Sequence, residues 1–306
     1  MTSHTDARRD RAIGALLGLA IGDAVGTTLE FTRRDDHPPL TDMIGGGPFA
    51  LAAGEWTDDT SMALCLAESL LAHPHLDQGD LMRRFVNWWR WGQNSHNGAC
   101  FDIGITTAEA LGRFERTSDP VAGSTAPSTA GNGSLMRLSP VAVRWHRNKA
   151  EAADVAQRQS VTTHGAPEAV DACRFFVELL VDAISGREPA SLLSPNSFEG
   201  ERKIVEIAQG KWRDKQRHEI ASSGYVVDTL EAALWCIARN ENFESAILAA
   251  ANLADDADSV AAVTGQLAGA IWGTTAIPEH WRKRLAWHDR IQSLADDLYQ
   301  RGLSDS

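Results

Sequence analysis

Glycine recurs every fourth residue at positions 14, 18, 22 and 26 of this 306-residue chain, and again at 265, 269 and 273. Inside a helix each glycine costs roughly 1 kcal/mol relative to alanine. Residues four apart lie on one helical face, and a face made of glycine lets another helix backbone approach closely. The spacing therefore predicts that helices over 8–25 and 259–273 lie near the centre of the fold, in close contact with neighbours. The first contains the longest apolar run, AIGALLGLAIGDAVG. With an aspartate inside it and too few residues to span a bilayer, that run reads as a core helix.

Helical periodicity dominates the remainder, and no alternating β-branched segment of useful length separates the helices. Further helices are predicted at 59–73, 78–91, 103–115, 138–147, 150–159, 165–186, 201–209, 226–239, 243–252 and 279–301. Two stretches read as loops: TSDPVAGSTAPSTAGNGS at 117–134 and LLSPNSFEG at 192–200. Neither reads as a domain linker, because acidic motifs on both sides need each other. The expectation is an all-α fold, a single multi-helix domain over 1–306. A hydrophobic content of 43% suits one large globular core.

Those acidic motifs carry the chemistry. In NLADDADSVAAVTGQLAGA (252–270), Asp255, Asp256 and Asp258 fall within four positions, and no lysine or arginine stands within ten residues. Clustered carboxylates repel one another and resist desolvation unless something pairs with them. A second cluster, GEWTDDTSMALCLAESLL (54–71), sets Thr57, Asp58 and Asp59 at the head of a helix whose inward face is Met62, Leu66 and Leu70. Helix N-capping explains one aspartate per helix but not a pair plus a triple. Carboxylates and hydroxyls are hard oxygen ligands that select Mg²⁺, Mn²⁺ or Ca²⁺, and no nearby histidine or cysteine set suggests zinc. Asp256, Asp258 and Ser259, with Thr57, Asp58 and Asp59, supply enough oxygens for two ions sharing a bridging carboxylate. DADSV at 256–260 also fits the DxDx[TV] pattern of haloacid-dehalogenase-type phosphatases. That weaker reading requires a preceding β-strand, where FESAILAAANLA reads as helix.

Composition narrows the partners. A formal charge of −12 disfavours a nucleic-acid surface. Cys65, Cys100, Cys173 and Cys236 are scattered without CxxC spacing, and MTSHTDARRD lacks the apolar run of a signal peptide. Free thiols in a reducing cytoplasm, with no membrane partner, are expected. The ten tryptophans, as in WWRW at 88–91, read as packing residues.

Taken together, the motifs are similar to those of the ADP-ribosylglycohydrolase family. The matching segments are GALLGLAIGDAVGTTLEF (14–31), GEWTDDTSMAL (54–64), GACFDIGITT (98–107), GNGSLMRLSPVAV (131–143), VTTHGAPEAVDAC (161–173), SGYVVDTLEAALW (223–235) and NLADDADSVAAVTGQLAGAIWG (252–273). They stand in the family's order from near the N-terminus to residue 273. The resemblance implies an all-α enzyme with two Mg²⁺ or Mn²⁺ ions that cleaves ADP-ribose from a modified acceptor, an ADP-ribosylated protein. Likeness to the dinitrogenase-reductase-activating branch favours arginine over serine-linked or O-acetyl acceptors. A catalytically silent ADP-ribose-binding protein on the same fold would be expected to have lost a metal ligand, and both sets are complete here.

By position, the resemblance places Thr57, Asp58 and Asp59 in one ligand set and Asp256, Asp258 and Ser259 in the other. Serine at 259 departs from the family's usual threonine but keeps the oxygen. Asp255 stands where many members have glycine and is expected to be solvated or outside the ligand set. Glu30 and Asp102 are the expected catalytic carboxylates. Gly131, Asn132, Gly133 and Ser134 form a glycine-bracketed loop suited to a diphosphate, which backbone N–H groups can bind. Arg137 either assists them or forms a structural pair. His164 either contacts the ligand or caps helix 165–186. Tyr225 either stacks on the adenine or is a half-buried core aromatic, and Phe101 presents the same choice beside the distal ribose. Asp23, acidic within the glycine-spaced helix, is expected to orient a ligand residue or to satisfy backbone amides.

Overall fold

In the computed structural model, residues 2–304 are described, and among them regular structure is entirely helical, with only isolated β-bridges between loops. Fourteen α-helices follow one another: α1 (Thr2–Gly26), α2 (Asp58–Ala72), α3 (Gln78–Trp91), α4 (Ile105–Thr117), α5 (Ser139–Arg144), α6 (Lys149–Ser160), α7 (Pro167–Ile184), α8 (Pro189–Leu192), α9 (Arg202–Ala208), α10 (Val226–Ala238), α11 (Phe243–Ala251), α12 (Ala257–Trp272), α13 (Glu279–Arg284) and α14 (His288–Ser304). The all-α expectation holds. Because α11 ends just before the DADSV segment, the phosphatase reading fails for want of a strand.

The two glycine-spaced helices pack against each other. A methyl group built on Gly18 would lie 2.2 Å from the Gly265 carbonyl oxygen, one on Gly22 2.1 Å from that of Ala261, and one on Gly26 2.4 Å from that of Ala257. From the other side, a methyl on Gly269 would lie 1.8 Å from the Gly14 carbonyl oxygen. Partners rise along α1 as they fall along α12, so the helices are antiparallel. Ala257 and Ala261 extend the small-residue face of α12 beyond its glycines. α1 is buried from Ala12 onward and α12 over all but its last two residues, and the rest of the fold packs around them in one apolar core. The apolar stretch of α1, counted through Leu29, is long enough to cross a bilayer, contrary to the reading of 12–26 alone, but 89% of its most apolar window is buried in the protein.

Two elements differ from expectation. The helix predicted over 279–301 is broken between α13 and α14. There the chain bonds to the loop before α2: the Ala286 amide donates to the Gly54 carbonyl at 2.9 Å, and Trp56 Nε1 donates to the Ala286 carbonyl at 3.1 Å. Trp287 takes φ +59° and sets its ring edge-on to Trp56. These bonds replace helix continuation and anchor the segment leading into Thr57. The second difference is α8, a single turn begun by Pro189 where no helix was expected.

Candidate functional site

The packing of α1 on α12 delivers two acidic helix N-termini to one place. Helix α2 begins there without a cap of its own: the Thr57 side chain makes no capping bond to its helix. Asp23 of α1 does this instead. Its Oδ1 accepts from the Thr57 amide and hydroxyl, both at 2.9 Å, and its Oδ2 from the Thr60 amide at 3.0 Å and hydroxyl at 2.6 Å. Asp23 therefore uses both oxygens to fix the start of α2, a positioning role of the kind its sequence context suggested. Thr57 also reaches Asp258 Oδ2 at 3.2 Å, which links the two helix starts directly.

At the head of α12, Ala254 and Asp255 both take positive φ, +60° and +63°. Aspartate tolerates this left-handed conformation better than most residues, and glycine would take it freely. Asp255 is exposed, and its backbone pairs with the Phe31–Thr32 turn, with Phe31 N to Asp255 O at 2.7 Å and Asp255 N to Thr32 O at 3.0 Å. The same bridge fixes Glu30. Arg34 holds the surrounding loops by donating to the carbonyls of Arg217, Ile220 and Leu253 at 2.7–2.9 Å and to Ser222 Oγ at 3.2 Å. The Ser222 carbonyl in turn accepts the Asp256 amide at 2.9 Å.

The result is a buried carboxylate centre. Oxygens of Asp58, Asp59 and Asp258 lie within 4.8 Å of one another, and so do those of Glu30, Asp102 and Asp258. Asp258 belongs to both groups. One oxygen each of Glu30, Asp59 and Asp258 is buried with no hydrogen-bond partner. Asp256 Oδ2 accepts from Asn132 Nδ2 at 2.5 Å, and Ser259 Oγ lies 3.4 Å from Asp59 Oδ2. Orphaned carboxylate oxygens at this depth fit hard divalent cations, which would satisfy them and offset their charge.

Burial is the largest cause raising the pKa of every member, and neighbouring carboxylates add to it for all but Asp258, whose hydrogen bonds oppose the rise. Asp256 is pushed up to about 7, Asp102 to about 9 and Glu30 to about 11, while Asp58, Asp59 and Asp258 also rise. Asp23 rises to about 7 through burial and Asp258, despite its four donors. In the unfolded chain such groups ionise near pH 4. Between pH 4 and the raised values the folded state therefore binds more protons than the unfolded state, and stability falls as pH rises. The metal-free protein should lose melting temperature between pH 5 and 8, and millimolar Mg²⁺ or Mn²⁺ should restore it at pH 8 by binding the folded state. A melting temperature independent of pH and of divalent ions would contradict this.

Beside this centre lies a cavity of about 410 Å³. Glu30, Asp58, Asp102, Asp256, Asp258 and Ser259 line its acidic side, and Gly131, Asn132, Gly133, His164 and Gly224 line another. The loop bearing Asn132 is stitched to the segment bearing Gly224, with Asn132 N to Gly224 O at 3.1 Å and Val226 N to Ala130 O at 3.0 Å. No acceptor in the described residues faces the Gly133 and Ser134 amides. A methyl on Gly133 would lie 2.6 Å from His164 Cε1, so the glycine lets the ring pack against the loop. His164 is buried and its pKa is lowered to about 3, by burial and then by Arg137, so it is neutral. Its Nδ1 lies 2.9 Å from Thr163 Oγ1, and no side chain caps α7.

Other expected residues lie further off. Ser134 is fully buried, its hydroxyl 2.8 Å from that of Ser160. Arg137 is buried against Gln159, with its guanidinium 4.5 Å from the centre of the Phe85 ring. The Phe101 ring packs on Phe49 and His96. The Tyr225 hydroxyl donates to Glu168 and accepts from Lys203 at 2.7 Å. None of these four lines the cavity. Sequence reasoning did not single out Phe31, Met136 or the 103–107 segment, all of which do. The hydroxyls and first-turn amides of Thr106 and Thr107, at the start of α4, were the available signal.

The family profile described as ADP-ribosylglycohydrolase matches residues 4–305. An ADP-ribosylarginine hydrolase from Pseudomonas putida is 50% identical over 95% of this chain and 78% of its own length. One from Serratia proteamaculans is 47% identical over 95% and 79%. The ADP-ribosyl-[dinitrogen reductase] glycohydrolase of Rhodospirillum rubrum is 31% identical over 90% of each chain. A solved structure titled as an ADP-ribosylglycohydrolase-related protein complex superposes with a TM-score of 0.87 at 39% identity, covering 97% of this chain and 99% of that one. With a match spanning almost its full length and a helical frame built around a shared carboxylate centre, this chain belongs to the ADP-ribosylglycohydrolase family.

Proposed function

We propose that this protein hydrolyses the N-glycosidic bond between ADP-ribose and an arginine side chain of a modified protein. The observation that carries the reading is the pair of carboxylate groups sharing Asp258, set against a cavity whose other walls offer free amides. Relatives at 50% and 47% identity, both named ADP-ribosylarginine hydrolases, support the choice of acceptor.

Thr57, Asp58, Asp59, Asp256, Asp258 and Ser259 would hold two divalent cations, Mg²⁺ or Mn²⁺. When bound, these ions supply charge neutralisation and Lewis-acid polarisation beside the scissile bond. Asp23 orients Thr57, and Asn132 orients Asp256. The Gly133 amide and the first-turn amides of α4 suit the diphosphate dianion, which helix starts and glycine loops accommodate. Neutral His164 adds a hydrogen-bonding wall without adding charge.

Cleavage breaks the bond from the anomeric carbon to the guanidine nitrogen, forms one from that carbon to a water oxygen, and moves a proton to the departing guanidine. The transition state is oxocarbenium-like, and carboxylates near the anomeric carbon stabilise it. Glu30 and Asp102 line the cavity together, and as the catalytic carboxylates one of them would supply the proton to the departing guanidine. The four free cysteines, three of them buried, support a reducing, cytoplasmic setting.

The reading is tested by incubating the metal-loaded protein with arginine-linked, serine-linked and O-acetyl ADP-ribose substrates and quantifying released ADP-ribose. Preferential release from the arginine-linked substrate is expected. Equal or greater release from serine-linked substrate would reject the arginine assignment.

A further inference from the structure

Phe31 occupies a position that folding stability alone would give to glycine. Its φ is +57°, in the left-handed region that bulky residues avoid and glycine takes freely. It is also 66% exposed. The conformation is held by its amide bond to Asp255 and by the Thr32 hydroxyl, which donates to the Leu29 carbonyl at 2.6 Å. Backbone strain of this kind opposes stability and collects at functional sites.

Ile105, the first residue of α4, is 80% exposed and lines the same cavity as Phe31. Each stands close in sequence to a carboxylate of the centre, Phe31 after Glu30 and Ile105 three residues after Asp102. Those two carboxylates converge with Asp258, so the exposed apolar side chains border the mouth on the acidic side. No lysine or arginine lines the cavity, which suits a cationic guanidinium at that end. Beyond Phe31 lies a second groove of about 490 Å³ lined by Arg33, His218 and Asp255 among others.

We infer that Phe31 and Ile105 form an apolar clamp for the polypeptide bearing the modified arginine. The acceptor's main chain lies over Phe31 towards the second groove, and the arginine methylenes pass the clamp so that the guanidinium reaches Glu30 and Asp102. The clamp rests on the arginine reading above and adds which part of the enzyme recognises the acceptor as protein. Its contribution is to binding of the polypeptide, because it is made by two exposed side chains, whereas the ADP-ribose half is assigned to backbone amides.

The test is steady-state kinetics of the metal-loaded enzyme on an arginine-ADP-ribosylated protein and on free ADP-ribosylarginine. Phe31→Gly should raise KM for the protein substrate about tenfold, the scale of losing one aromatic anchor, with kcat within about twofold. KM for free ADP-ribosylarginine should rise less, so the protein-to-small-substrate ratio of kcat/KM falls. Ile105→Ser should act in the same direction, Phe31→Tyr should restore the ratio, and the melting temperature of Phe31→Gly should not fall. An unchanged ratio in Phe31→Gly, or a Phe31→Tyr variant as impaired as the glycine one, would overturn the clamp while leaving the arginine reading intact. Failure of the wild type to release ADP-ribose from either substrate would overturn both.

Discussion

Asp258→Asn should lower the rate of ADP-ribose release about a thousandfold, the scale of losing a principal charge-stabilising group. It should also make the metal-free protein more stable at pH 8. The two effects share one cause. Asp258 is the carboxylate common to both oxygen groups, and its charge raises the pKa of Asp23, Glu30, Asp58, Asp59, Asp102 and Asp256. Asparagine keeps an oxygen for the Thr57 hydroxyl and nearly the same volume, while removing the charge at the centre of the repulsion. One pKa unit corresponds to about 1.4 kcal/mol, so a gain of about 1–2 kcal/mol without divalent ions is expected. With saturating Mn²⁺ the order should reverse, because the wild type binds the ion more tightly and gains more from it. Denaturant unfolding with EDTA and with Mn²⁺ measures both signs. A variant less stable than wild type in EDTA would show that carboxylate repulsion does not limit the folded state.

Gly269→Ala should destabilise the protein by more than about 3 kcal/mol, at the high end of single-substitution effects. Its methyl group would sit 1.8 Å from the Gly14 carbonyl oxygen and 2.4 Å from the carbonyl carbon, both backbone atoms that cannot rotate away. Relief requires α1 and α12 to separate, and every helix packed on that pair would follow. Gly112→Ala in α4 supplies the contrast, since a methyl there meets only Arg116 at 3.5 Å and Trp89 at 3.9 Å. The same exchange at Gly112 should stabilise by up to about 1 kcal/mol through helix propensity. Urea unfolding of both variants tests the pair. A Gly269→Ala midpoint equal to wild type would show that the close approach of the two helices is unnecessary.

Both predictions draw on features legible in the amino-acid sequence alone. The four-residue glycine spacing is a local pattern with one efficient geometric use, and the central helix pair follows from it. The two acidic clusters were legible because each lies within three or four consecutive residues, and a helix start cannot scatter them. Asp23 was legible as a positioning group from its acidity inside an apolar helix.

What escaped depends on contacts distant in sequence. Nothing local in residues 279–301 announces that Ala286 exchanges helical bonds for Gly54 and Trp56. Asp255 has the same composition as its neighbours Asp256 and Asp258, and only its positive φ turns it outward to solvent. The convergence of Glu30 and Asp102 on Asp258 is set by the bridge between the Phe31 and Asp255 backbones and by the loop before α4. Their carboxylates therefore became candidates through family resemblance, not through spacing. Phe31 and Ile105 resemble ordinary apolar residues until their exposure at a cavity mouth is known.

On the proposed reading a carboxylate-held pair of divalent cations makes the cavity a hydrolase site for ADP-ribosylarginine. The most direct test is ADP-ribose release from an arginine-ADP-ribosylated protein by EDTA-stripped enzyme titrated back with Mg²⁺ or Mn²⁺, beside the Asp256→Ala and Asp258→Ala variants. Release absent in EDTA, recovered by one or both ions in the wild type and by neither variant, is the predicted result. Full-rate release by the stripped enzyme, or unimpaired release by both variants, would contradict it.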